Sequence, residues 1–71
     1  MRRNIKIRLF KLGKTQRWLL KEIQKRGFST LHEPKFSTIV NGYYTSGYAE
    51  RILDLCDIIL KREETERENT N

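Results

Sequence analysis

Between His32 and Tyr44 the chain reads His-Glu-Pro-Lys-Phe-Ser-Thr-Ile-Val-Asn-Gly-Tyr-Tyr, and these residue types suit hydrogen bonding to a nucleic acid better than bond making. Phe36, Ile39 and Val40 fall on one face of a short helix, whereas Lys35, Ser37 and Thr38 fall off it. Pro34 stands where a first helical turn tolerates it, and Asn41-Gly42 supplies a stop. A helix of about two turns is not stable alone in water. It must be carried by its neighbours, and a carried helix with small polar residues facing outward is expected to probe a DNA groove. The bland reading of the same positions is a solvated helix face.

Catalysis finds little to work with. His32 and Cys56 are each the single residue of their kind, no glycine-rich phosphate loop is present, and 71 residues leave little room for a desolvated cleft. The sequence therefore predicts no enzyme, no cofactor and no small-molecule substrate, and it lacks the ligands of a metal site. One cysteine excludes an internal disulfide, and the place of Cys56 in an apolar helical stripe predicts a reduced, buried thiol, consistent with the cytosol. No apolar run approaches a membrane span, and the basic start lacks the apolar region of a signal peptide. A cytoplasmic protein without a membrane partner is expected.

Charge is unevenly spread. Residues 1–45 hold eleven Lys and Arg against Glu22 and Glu33, a net +9, while residues 46–71 hold four Lys and Arg against seven acids, a net −3, giving the total of +6. A basic front with an acidic back is the footprint of a domain that turns one side to a polyanion.

The elements needed to hold such a probe are legible along the chain. Ile5, Leu9 and Leu12 keep helical spacing, and Gly13 closes the run; Ile5, Ile7 and Leu9 also alternate with Lys6 and Arg8 as in a strand, but Phe10 and Leu12 break that alternation. Thr15 offers an N-cap to a second helix with Leu19, Leu20 and Ile23 on its buried stripe. Phe28 and Leu31 anchor a turn expected to tuck under the third helix. Ser46 or Thr45 caps a long final helix carrying Ala49, Ile52, Leu53, Cys56, Ile59 and Leu60. Helices are thus predicted at about 4–12, 16–26, 33–40 and 47–62, a compact all-α domain of four, or five, helices over residues 1–62. Residues 1–4 are expected to form a basic arm too polar to pack. Residues 63–71 contain no apolar residue and are expected to be a charged tail, frayed or disordered.

Two pieces of this chain, Gly13-Lys14-Thr15-Gln16 opening the second helix and Phe36-Ser37-Thr38-Ile39-Val40-Asn41-Gly42 ending the third, resemble the Xre/Cro-like, or lambda-repressor-like, helix-turn-helix family, of phage or mobile-element type. With Leu9, Leu12, Leu19, Ile23 and Gly27 between and around them, the similarity covers roughly residues 5–60. Leu20 departs from it, standing where the family usually has a small residue, and the connection from Gly27 to Phe36 is about three residues longer than usual. The resemblance implies that Gln16 bonds a phosphate from the start of the second helix, where free N–H groups gather, with Lys14 and Arg17 adding ionic contacts. It implies that His32, Glu33, Lys35, Ser37 and Thr38 face the major groove, where lysine suits guanine acceptors, a threonine methyl suits thymine, and a carboxylate accepts from cytosine. Asn41, Tyr43 and Tyr44 would hold the DNA backbone, and the arm Arg2-Arg3 a nearby phosphate or the minor groove. The implied function is a sequence-specific regulator of double-stranded DNA, with a homodimer on a palindromic site as the way to useful affinity.

Two other readings stay open at this level. Ile5-Lys6-Ile7-Arg8-Leu9 as a strand would make a ribbon-helix-helix dimer, though the twenty residues from Gly27 to Gly47 are long for its turn. A helix-turn-helix that binds a protein instead, as anti-repressors and phage inhibitors do, would use Trp18, Tyr43, Tyr44 and Tyr48 as anchors.

Overall fold

The computed structural model describes residues 3–69, which form four helices and no strand: α1 (Ile5–Leu12), α2 (Gln16–Lys25), α3 (Glu33–Val40) and α4 (Gly47–Asn69). The ambiguity over residues 5–9 resolves as helix because the burial follows the helical spacing. Ile5, Leu9 and Leu12 are buried, while Ile7 and Phe10 point outward. The helix closes in a Schellman turn: Gly13 takes the left-handed conformation at φ 70°, its N–H reaches Phe10 O at 3.1 Å, and the Lys14 N–H reaches Leu9 O at 2.9 Å. Thr15 then caps α2, its Oγ1 accepting from the Trp18 N–H at 3.0 Å. Arg26, expected inside α2, stands at its C-cap.

α3 ends in the same way as α1. Gly42, at φ 82°, donates to Ile39 O at 3.2 Å, and Tyr43 donates to Thr38 O at 2.9 Å. This second Schellman turn sends the chain back to α4, which Ser46 caps by accepting from the Ala49 N–H at 3.1 Å. Helices α1, α2 and α3 each pack on α4, and α2 also packs on α3. The core lies between them. Phe36, Ile39 and Val40 bring α3 into it, against Leu19, Leu20 and Ile23 of α2 and Ala49, Ile52, Cys56, Ile59 and Leu60 of α4. Burial pushes the Cys56 thiol up to about 12, so it is protonated and unreactive at neutral pH.

Besides the end of α2, the structure departs from the sequence expectations in four places. Leu53 is only half-buried, at the edge of the core. Phe28 turns toward α4, its ring meeting that of Tyr48 edge-on at 5.8 Å, so of the two turn anchors only Leu31 enters the core fully. Arg3 is not part of a loose arm, because its guanidinium pairs with Asp54 and, at 3.6 Å, with Glu50; Arg2 lies outside the described residues. Helix α4 continues past residue 62 to Asn69, because its charged end has somewhere to dock. Glu64 receives two hydrogen bonds from Arg8, at 2.9 and 3.0 Å, Glu63 lies 3.9 Å from Lys14, and the Arg67 guanidinium donates to Lys11 O at 3.1 Å.

Candidate nucleic-acid interface

The turn between α2 and α3 decides how α3 is presented. Gln24, near the end of α2, donates from Nε2 to Leu31 O at 2.7 Å, and Leu31 is buried immediately before His32, the N-cap of α3. At the other end of α2, Arg17 Nη2 lies 3.5 Å from Glu33 Oε2 on the first turn of α3. These two ties hold α3 across α2, and between them Arg17, Lys21, Gln24, His32 and Glu33 line an open cleft with Leu20 as its apolar wall. Leu20, the residue that departs from the family pattern, is thus accommodated in the core beneath this cleft.

The side chains predicted for contact divide into those that are available and those already engaged. Gln16 makes no side-chain hydrogen bond among the described residues and stands at the α2 N-terminus, where unpaired N–H groups and the dipole favour an anion. His32 occupies the α3 N-cap position, but its imidazole does not cap and is exposed. Arg17 is 72% exposed in spite of its contact with Glu33. Tyr43 is 85% exposed. Lys14, by contrast, is already engaged, 5.0 Å from the centroid of the half-buried Trp18 ring and 3.9 Å from Glu63.

Others are tied within α3. Thr38 donates its hydroxyl hydrogen to Lys35 O at 2.6 Å, which leaves its methyl and lone pairs for anything outside. Asn41 donates from Nδ2 to Ser37 O at 2.8 Å and to Ser37 Oγ at 3.2 Å, so its amide nitrogen closes the helix. Lys35 lies 3.8 Å over the Tyr44 ring. Hydrogen bonding with Ser46, and then the Lys35 charge, hold the Tyr44 phenol below its ordinary value.

The basic front also divides. Arg8 bonds Glu64 through two nitrogens and Asp57 at 2.6 Å, with its side chain only 16% exposed. These bonds raise the guanidinium value, Glu64 first and Asp57 after it, and hold both carboxylates below theirs. Lys25 and Arg26 pair with Glu22 on their own helix. Of the described cations in the first 45 residues, Lys6, Lys11, Lys21 and Lys35 form no ion pair. Much of the charge asymmetry in the sequence is therefore an internal seam between α1 and α4. The sum of charges cannot reveal that, because the partners stand about fifty residues apart.

Compared with protein-family models, curated proteins and solved structures, the chain matches none. Two residues of the site escaped sequence reasoning as members of it: Lys21, whose signal is its position four residues after Arg17 on one helix face, and Gln24, whose bond to Leu31 depends on a turn that periodicity does not describe. Among the described residues no helix is long and apolar enough to cross a membrane, and no cluster of metal-ligating side chains occurs.

Proposed function

We propose that this chain is a sequence-specific double-stranded DNA-binding regulator with a lambda-repressor-like helix-turn-helix, in which α3 enters the major groove. The observation that carries this reading is the α2–α3 unit. A short helix is seated on the core by Phe36, Ile39 and Val40, braced by Gln24 and Arg17, and leaves Lys35 exposed and Ser37 and Thr38 half-exposed, while the unpaired Lys21 lines a cleft with His32 and Glu33 at its start. Lys14, Gln16 and Arg17 would bind phosphates on one side of the groove, and Tyr43 and Tyr44 on the other. Lys35, His32 and the Thr38 methyl would meet base edges. Glu33 serves chiefly to orient Arg17, and Asn41 and Ser37 chiefly to close α3. The role is passive binding without a catalytic step, in the cytoplasm, and two copies on a palindrome would supply the affinity that one small module lacks.

A protein-binding helix-turn-helix is the second reading, favoured by the exposed Tyr43 and by the part of the basic front that α4 neutralises. Reversing two charges at once, Lys14→Glu with Arg17→Glu, separates them. Fluorescence anisotropy on duplex DNA at two salt concentrations should show affinity lost by about a hundredfold or more, with an unchanged far-UV spectrum. Unchanged DNA affinity, or no salt dependence in the parent protein, would favour the protein-binding reading.

A further inference from the structure

Helix α1 turns two apolar side chains to solvent that the core does not use. Ile5, Leu9 and Leu12 fill its inward stripe, while Ile7 and Phe10 stand on the opposite side, 55% and 85% exposed. They are three residues apart and therefore neighbours on the helix surface. At about 100° of rotation per residue, Lys6 and Lys11 fall on either flank of the pair. Both lysines are exposed, and neither forms an ion pair among the described residues. The helix carries no acid to answer them. A lone exposed apolar residue is ordinary, but an apolar pair with unanswered charge of one sign on both sides has the apolar centre and charged rim of a contact surface.

We infer that this α1 face docks an acidic amphipathic segment of another protein, whose apolar side chains cover Ile7 and Phe10 and whose carboxylates meet Lys6 and Lys11. Charge and shape decide the occupant. A second copy of the same face would bring lysine against lysine with no acid between them. Duplex DNA would answer the lysines with phosphate but would leave Ile7 and Phe10 uncovered, because its backbone offers no apolar surface. An anionic lipid surface would answer both, but it is broad, and the acidic end of α4 lies alongside α1. Glu64 bonds Arg8 there, and Glu63 stands 3.9 Å from Lys14, both with partly exposed carboxylates. Negative headgroups spread over α1 would be brought close to these acids as well. A single protein segment is narrow enough to follow the apolar pair between the two lysines, with its own carboxylates on its flanks. None of these four α1 residues is among the proposed DNA contacts, so the inference does not rest on the DNA reading.

Selection from a displayed library of random peptides of about twelve residues on the full chain tests it, with the affinities of enriched peptides read by fluorescence anisotropy. The expected result is enrichment of peptides that combine Asp or Glu with Leu, Ile or Phe. Their binding should fall by at least about tenfold in the double variant Ile7→Ser with Phe10→Ser, and again in Lys6→Glu with Lys11→Glu. All four positions are exposed, so the far-UV spectrum should stay that of the parent protein. A selection that enriches nothing, or only peptides without carboxylates, overturns the inference. So does binding that survives Ile7→Ser with Phe10→Ser, which would move the contact off α1. Vesicles of phosphatidylcholine with about a quarter phosphatidylglycerol are the lipid control, and no binding is expected. Vesicle binding lost in Phe10→Ser, with no acidic peptide enriched, would assign the face to lipid and overturn the protein assignment.

Discussion

Two arginines on neighbouring faces of this domain do opposite things. Arg8 is held by two carboxylates of α4 with little exposure, whereas Arg17 touches a single carboxylate at 3.5 Å and stays open to solvent. Hydrogen bonds to charged partners that are sheltered contribute stability, while an exposed ion pair contributes about 0–1 kcal/mol and exchanges readily for another anion. The α1–α4 face is therefore a structural seam built of charge. The α2–α3 face leaves its charges exposed, and in the proposed DNA-binding role Glu33 would hold Arg17 in place until a phosphate displaces it.

Breaking the seam should have the larger effect on folding. Arg8→Ala leaves Glu64 without its cation and Asp57 with only the exposed Lys61, and should cost about 2 kcal/mol, with the partial exposure of both carboxylates keeping it from more. Urea denaturation measures this, and DNA affinity of the folded fraction should not change. The corresponding change on the other face, Arg17→Ala, should leave the urea midpoint within about 0.5 kcal/mol and instead lower DNA affinity by about tenfold, with the salt slope reduced by about one.

Acid should separate the faces more gently. The folded values of Asp57 and Glu64 lie below their ordinary 3.8 and 4.5 because Arg8 bonds them. Their contribution is complete above those ordinary values and is lost as pH falls through the folded ones. Thermal stability should then be level from neutrality down to about pH 5 and decline below it, by roughly 1 kcal/mol more in the parent protein than in Arg8→Ala. An equal decline in both proteins would show that the seam contributes little.

How much of this was legible in the sequence follows from the forces involved. The spans of α1, α2 and α3 are apolar-periodic and bounded by Thr15, Gly13 and Asn41-Gly42, so the spacing finds them to within a residue or so. The last two turns of α4 carry no apolar residue, and local pattern cannot find them. Their helix is supported by Glu64 and Arg67 reaching α1 and by Glu63 reaching Lys14 just beyond it. The same long-range pairs made residues 1–45 look more basic than the surface they present. At the candidate site, the placing of Lys35, Ser37 and Thr38 off the buried face of α3 was legible from the helical period, though only Lys35 is fully exposed. The engagement of Asn41 with Ser37, the stacking of Lys35 on Tyr44 and the brace from Gln24 were not, because each depends on side-chain placement within a turn.

The proposed function requires that the α2–α3 face read a DNA sequence. In vitro selection of duplexes bound by the full chain tests it most directly, with Lys35→Ala selected in parallel. An enriched palindromic consensus is expected for the parent protein, and relaxed preference at one position of each half-site for the variant, worth about 1–3 kcal/mol of discrimination. A bound pool with no enriched sequence would contradict it.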